Sequence, residues 1–581
     1  MESDDVITVS VRKTSGIAEM IASLSSSSLG GIMDKLKPKL FSVMKTYSKQ
    51  QFVKDIVSGI IVAVIALPLS IALALASGVG PEEGLYTAIV AGFLISFLGG
   101  SRVQIAGPTA AFATIVAGIV AQKGMGGLAL ATVLAGIILI LLGLFRLGSL
   151  IKYIPYTITT GFTAGIAVTI LVGQLKDFFG VTYMNGEAPI ETIDKIKAVF
   201  GNIGTINPQA VIVGLVCLAI MIIWPKKLDK IPSSLIAVLA GVGMVNLLGM
   251  NVNTIGDLYT VSNKLPAFRL PEFSFAAVKD VISDAFTIAI LAAIESLLSC
   301  VVADSMINSK HRSNMELVAQ GVGNIGSALF GGIPATGAIA RTAANVKNGG
   351  RTPIAGIVHS VTLLLILVVL MPYASFIPMP TIAAILFMVA YNMCQWRPFV
   401  HLVKTAPKGD ILVLVVTFVF TIVFDLVVAI GVGMVLACLI FMKSMSEETS
   451  LKSWKYVDDE EDPDSISLRQ VPQEVRVYEV SGPLFFGVAD RIPDIQLKGF
   501  TKVLILRMRG VPAVDASAVN ALEALLKKCN GSGVSLILSH VNEQPMKTLE
   551  KDDFISRIGR ENVCEHIDAA LERANEILKN M

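Results

Sequence analysis

Two charged residues stand alone inside apolar runs of this 581-residue chain, and their types suit opposite tasks. Glu295 is the sole acidic residue in the middle of "AILAAIESLLSC", and Arg341 is the only basic residue in the short run opened by "IPATGAIA". Charges at membrane depth are costly and usually functional. An arginine there offers a small anion a permanent forked cation. A buried carboxyl disfavours its charged form, so it can load and unload a proton near neutral pH. Plainer readings stand beside these: Arg341 snorkels to the cytoplasmic face from a short helix, and Glu295 is a protonated hydrogen-bond donor between helices. Ser299 lies one turn on from Glu295 as a possible companion. Ser70, Thr109 and Thr336 offer hydroxyls, although small hydroxyl residues also serve as packing residues in membrane helices.

What must position these groups is a pair of broken helices. In "FLGGSRVQIAGPTAAFATIVAG" an apolar run stops at Gly99 and Gly100, admits Ser101, Arg102 and Gln104, and restarts at Gly107 and Pro108. A second run does the same: Leu329, Phe330, Gly331 and Gly332 end it, and Ile333 to Ala338 start a short successor. Gly/Pro-interrupted segments at corresponding places in two halves point to a transporter's binding site. Each short run reads as a half-helix starting near mid-membrane, with unpaired backbone N–H groups and a positive dipole end. Inverted halves aim those ends toward each other, and the space between them favours an anion. The expected backbone donors are the N–H groups near Ala110, Ala111, Gly337 and Ala338. A Gly/Pro pair taken singly reads more simply as a kink in a packed helix; the matched pair favours a site.

The rest of the chain fits that frame. It is 53% hydrophobic and only 16% charged, whereas soluble domains carry about 25% charged residues. Apolar runs predict fourteen spans: 56–78, 84–99, 107–121, 127–151, 155–174, 208–224, 230–249, 281–303, 317–330, 336–346, 353–372, 376–394, 409–424 and 426–443. The two breaks lie seven spans apart, an odd number, so the second copy runs through the membrane in the opposite sense. With a cytoplasmic N-terminus, the loops after even-numbered spans carry Lys152; Lys226, Lys227 and Lys230; Lys310 and Arg312; Lys347 and Arg351; and Arg397, Lys404 and Lys408. That is the positive-inside pattern. The turns after spans 1 and 13 hold Glu82 with Glu83, and Asp425.

Residues 1–50 read as a cytoplasmic tail and 51–445 as the membrane domain. Residues 446–470, with "WKYVDDEEDPDS", read as an acidic linker. From 471 to 581, strand-like runs (Val475 to Val480, Val503 to Arg507, Val534 to Leu538) alternate with helical ones (Ser517 to Lys528, Ile567 to Leu578), which predicts a small α/β domain. The six cysteines form no C-x-x-C pair or His/Cys cluster, so neither a metal site nor a disulfide is expected, and no cofactor. No phosphate-binding P-loop appears, which argues against a primary pump, and no basic tract suggests nucleic acid.

These motifs resemble a known family, the SulP anion transporters. The matching stretches are "ALPLSIALALASGVGPEEGLYTAIVAGFLISFLGGSRVQIAGPTAAFA" and "AAIESLLSCVVADSMINSKHRSNMELVAQGVGNIGSALFGGIPATGAIARTAANVKNGGRTPIAG". The chain is similar to the bacterial branch that contains the C4-dicarboxylic acid transporter. "GVPAVDASAVNAL" resembles the STAS-domain signature, with Ala516 where anti-sigma antagonists carry a phosphorylated serine and Ser517 one step later as a helix cap. The resemblance implies a polytopic α-helical fold with a seven-plus-seven inverted repeat, core and gate domains and a cytosolic STAS domain. It also implies a homodimer with elevator-like alternating access, Arg341 at the anion site and Glu295 as the coupling residue. The STAS domain would offer a surface to soluble protein partners.

The reading is therefore a secondary transporter and not an enzyme, in the bacterial cytoplasmic membrane with both termini cytoplasmic. Proton symport of a C4-dicarboxylate such as succinate or fumarate, or of sulfate, is the leading expectation. A sodium-coupled bicarbonate transporter and an uncoupled channel or exchanger are the alternatives. Sodium wants several hard oxygen ligands. Ile339 stands where sodium-coupled members of the family add a threonine, which favours the proton.

Overall fold

The computed structural model describes residues 36–183, 189, 191–225, 232–424, 426–453 and 471–581. The Ser-rich N-terminal stretch, Lys226, Lys227, Lys230, Asp425 and most of the acidic linker lie outside these residues. The chain divides into two compact units, Met1–Met434 and Val435–Met581.

A helix occupies each of the fourteen expected spans, the last of which runs past the end of the first unit. Helix α1 (Lys49–Ala76) is capped by Ser48, whose hydroxyl accepts the Gln51 N–H, and it carries Pro68 inside. Helix α2 (Pro81–Leu98) starts on a proline, where no N–H is needed. Strand β1 (Ala106–Gly107) leads to α3 (Ala110–Leu144), which breaks at Gly124 (φ 68°) and so supplies two spans. There follow α4 (Tyr156–Phe179), α5 (Pro208–Ile223), α6 (Ser233–Leu248), α7 (Phe275–Ile307) and α8 (Ser313–Leu329). Strand β2 (Thr336–Gly337) leads to α9 (Ile339–Lys347), then α10 (Ile354–Leu370), α11 (Met379–Cys394), α12 (Lys408–Val423) and α13 (Leu426–Glu448), within which the two units meet.

Eight helices among the described residues are long and apolar enough to cross a membrane. Large apolar side chains such as Ile223, Leu247 and Leu365 are exposed, as a lipid-facing surface requires.

The half-helices begin later than the sequence predicts, at Ala110 and not 107, and at Ile339 and not 336. The intervening residues are extended because they pair with each other. Strand β1 runs antiparallel to β2, with Ala106 opposite Gly337 and Gly107 opposite Thr336. Antiparallel pairing sends α3 and α9 off in opposite senses, as inverted repeats demand.

The break after α2 has a steric cause. A Cβ on Gly100 would run into the backbone carbonyl of Arg312 at the start of α8 and meet Glu316 N at 2.9 Å. Gly100 instead forms a backbone bridge there, with Arg312 N–H donating to its carbonyl at 3.0 Å.

The second unit contains a five-stranded sheet in the order β3 (Ser450–Ser453), β4 (Val475–Ser481), β5 (Val503–Gly510), β6 (Ser535–Ser539) and β7 (Val563–Cys564). The β3–β4 pair is antiparallel and the others are parallel. The sheet thus begins inside the stretch expected as linker, upstream of residue 471. Both faces are covered, as parallel strands require. Leu504, Leu506 and Met508 pack with Leu522 and Leu525 of α14 (Ala516–Gly531), and with Phe554 and Ile558 of α16 (Phe554–Ile558), which follows α15 (Glu543–Lys551). On the other face Val503 and Ile505 pack with Ile567, Ala570 and Ala574 of α17 (Ile567–Lys579). Asp515, and not Ser517, caps α14, accepting the Ala518 N–H at 2.9 Å.

Gly100→Ala should lower the melting temperature and folded yield of the full-length protein, because its neighbours are backbone atoms, and overpacking costs about 1–3 kcal/mol. Gly118→Ala on α3, where a Cβ meets nothing within 4 Å, is the tolerated control. Equal melting temperatures for the two variants would contradict this account of the break.

Candidate functional site

The β1–β2 crossing brings the starts of α3 and α9 together, and Arg341 lies between them. It occupies the first turn of α9 and is only 1% exposed. Its Nη2 donates to the Pro108 carbonyl at 3.1 Å and to Ser70 Oγ on α1 at 3.3 Å. The guanidinium therefore reaches across the crossing to the other repeat, instead of extending along its own helix to a membrane face. Gly107 makes room for it, since a Cβ there would collide with Arg341 Nη1. Nε and Nη1 are buried without any hydrogen-bond partner. A buried cation without a counter-charge is strongly unfavourable.

Backbone donors converge on the same place. The first N–H groups of each half-helix have no intrahelical acceptor and carry the positive end of the dipole. On α3 these belong to the buried Ala110 and Ala111. On α9 the expectation shifts. Gly337 N–H donates to Ser296 Oγ at 3.1 Å and Ala338 N–H to the Ile105 carbonyl at 2.9 Å, so neither is available. The first-turn groups are instead those of Ile339, Ala340 and Arg341, because β2 holds the two residues before Ala338 extended.

The hydroxyls divide. Ser70 touches Arg341 as described. Thr109 Oγ1 donates to Glu295 Oε2 at 2.9 Å, which ties the start of α3 to the carboxylate on α7. Thr336 is fully buried and turned into α7, bonded to Ser296 Oγ at 2.6 Å and near the Ala292 carbonyl at 3.4 Å, so its hydroxyl is not free for an anion. Ser299 does not accompany Glu295. Its hydroxyl faces Thr342 Oγ1 at 3.5 Å, a group that also accepts the Ile105 N–H at 3.1 Å. One helical turn puts residues i and i+4 on one side but does not make them touch, and Thr342 lies closer to Ser299.

Residues that sequence reasoning passed over hold the crossing in place. Asn324 on α8 brackets Ala335, its side chain donating to the Ala335 carbonyl and accepting the Ala335 N–H, both at 2.9 Å. Thr87 accepts the Ile333 N–H at 2.8 Å, and Asn345 donates to the Val103 carbonyl at 2.8 Å. Glu316, fully buried on α8, accepts N–H groups from Gly100, Ser101, Gln104 and Gln320. The available signal was a run of amides and a carboxylate, Glu316, Gln320 and Asn324, spaced four apart along one helix. Among the described residues no His/Cys/Asp/Glu group could hold a metal ion.

Comparison with known proteins gives the same fold and family. Residues 52–417 match the sulfate permease family and residues 467–570 match the STAS domain. The chain is 39% identical over 529 residues to the putative sulfate transporter YvdB of Bacillus subtilis, covering 90% of this chain and 98% of that one. It is 30% identical over 540 residues to the bicarbonate transporter BicA of Picosynechococcus, covering 90% and 94%. The solved transmembrane domain of a cyanobacterial BicA superposes with a TM-score of 0.60 at 30% identity, covering 66% of this chain and 98% of that one. Murine Slc26a9 in its inward-facing state has the same fold, with a TM-score of 0.85 at 19% identity over 98% of this chain and 100% of that one. Two half-helices meeting at a buried, uncompensated arginine thus occur in a chain that belongs to the sulfate permease (SulP) family of membrane anion transporters and carries a C-terminal STAS domain.

Proposed function

We propose that this protein is a secondary active transporter that moves a small oxyanion by proton symport. The observation that carries the reading is Arg341, buried between two half-helix N-termini with two of its three nitrogens unpartnered. A dianionic or monoanionic oxygen cluster supplies acceptors for the guanidinium and for the N–H groups around it. Sulfate, bicarbonate and C4-dicarboxylates such as succinate or fumarate all meet that description. The relatives named as sulfate and bicarbonate transporters support the first two. On this reading the site travels with the half-helices in an elevator motion. The protein is a homodimer in the bacterial cytoplasmic membrane, with both termini cytoplasmic.

Coupling follows from the Thr109–Glu295 bond. A charged Glu295 holds the Thr109 hydroxyl and opposes an anion at the start of α3. Protonation removes the repulsion, so proton and anion load together. Sodium fits less well. Ser299 is engaged with Thr342, Ile339 offers no side-chain oxygen, and Thr109 is the one hydroxyl bonded to the carboxylate among the described residues. A single carboxylate with one hydroxyl does not replace a cation's hydration shell.

Three measurements in liposomes follow. Arg341→Ala should raise the KM of the transported anion by about tenfold or more, the scale of one lost charge-assisted contact, while Arg341→Lys recovers only part because it lacks the fork. Wild-type affinity in folded Arg341→Ala protein would remove the anion-site reading. With wild-type protein, an inward proton gradient should drive concentrative uptake of sulfate, bicarbonate or succinate. Glu295→Gln should keep anion exchange and lose that accumulation. Uptake that requires sodium and ignores the pH gradient would refute proton coupling, and conductive flux without accumulation would mark a channel. Finally, truncation after Thr449 should leave an inserted membrane unit with an altered transport rate; unchanged rate, dimerisation and abundance would deny the STAS domain a regulatory role.

A further inference from the structure

Glu316 differs from Glu295 and Arg341 in that both of its oxygens are fully engaged by hydrogen-bond donors. Oε2 accepts the backbone N–H groups of Gly100 at 2.9 Å and Ser101 at 3.1 Å. Oε1 accepts Gln104 Nε2 at 2.8 Å and Gln320 Nε2 at 2.9 Å. All four partners donate and none accepts, an arrangement that suits a carboxylate. Glu316 belongs to the second repeat, and three of its four partners belong to the break in the first.

The chain of contacts continues toward the anion site. Gln104 Oε1 accepts the Cys300 thiol at 2.8 Å, so both ends of its amide are fixed. That amide fills the space where a Cβ on Gly337 would sit. Gly337 in turn pairs with Ala106 in the crossing and leads directly through Ala338 into α9, whose first turn carries Arg341. We infer that Glu316, acting through Gln104, is a positioning residue that sets the separation of the two half-helix N-termini and hence how closely the site fits a small oxyanion. The inference rests on the transporter reading above.

A carboxylate–carboxamide pair can be exchanged between its two positions, and this supplies the test. Gln104→Glu alone sets two carboxylates at hydrogen-bond distance with no donor between them. Combined with Glu316→Gln, it restores one carboxylate and one carboxamide; the Cys300 thiol and the backbone N–H groups keep acceptors, and the Gln320 amide turns over so that its unpartnered Oε1 accepts from the new carboxamide. Full-length protein in liposomes is assayed for uptake of sulfate, bicarbonate and succinate, and each variant's melting temperature is measured in detergent. Gln104→Glu should raise the KM of the transported anion about tenfold, as expected when site groups shift by a fraction of an ångström or more. The swapped double variant should return KM to within about twofold of wild type, on the same scale of positional precision. Where Gln104→Glu does not fold, Glu316→Gln takes its place, with a raised KM that the swap reverses.

A folded single variant with unchanged KM and a lowered melting temperature would reduce the network to a structural role and overturn the inference alone. So would a folded swap that leaves KM raised. Wild-type protein that takes up none of the three anions would instead remove the transporter reading on which the inference depends.

Discussion

Everything in the membrane unit depends on the two-residue pairing of β1 with β2. Non-helical backbone inside a bilayer is tolerated only where every N–H and C=O finds a partner within the protein. The crossing meets that condition piece by piece. Ala338 N–H goes to the Ile105 carbonyl, Ile105 N–H to Thr342, Gly337 N–H to Ser296, and both backbone groups of Ala335 to Asn324. Side chains from α7, α8 and α9 thus complete what two strands of this length cannot. The reward is geometric. Two helix starts that belong to opposite halves are held side by side in the membrane interior.

Three ionisable side chains in this region are treated in three different ways, and the difference sorts structure from function. Glu316 has four N–H donors and behaves as a fixed post. Arg341 is nearly as buried but has partners for one nitrogen only. Glu295 is half-buried with one hydrogen bond, from Thr109. A buried charge whose hydrogen-bonding capacity is filled has nothing left to offer a ligand. The other two are only partly satisfied, and they are held through the adjacent residues Pro108 and Thr109 just before α3.

The second unit follows a different logic. Its parallel strands are buried on both faces by α14 and α16 on one side and α17 on the other, so its stability comes from ordinary apolar packing in water. The position that carries a phosphorylated serine in anti-sigma antagonists is Ala516, the first residue of α14, and the cap is Asp515. Alanine carries no hydroxyl, so that position offers no acceptor for a phosphoryl group.

How much of this was legible beforehand follows from what each signal measures. Hydrophobic run length reports the cost of burying backbone in lipid, so the fourteen spans and the odd-numbered offset of the repeat could be read from residues alone. The isolated charges Glu295 and Arg341 stood out for the same reason. Which N–H groups are free could not be read, because that depends on β1 capturing Thr336 and Gly337, a pairing between residues 229 and 231 positions apart. Nor could the loss of Thr336 and Ser299 from the site, since side-chain direction at a strand or a helix turn is decided by the neighbour it meets. By position in the chain Glu316 is simply the acidic residue in the first turn of α8. Only the tertiary structure brings the break at Gly100 against it, and a carboxylate's role is set by the donors around it, which no local pattern contains.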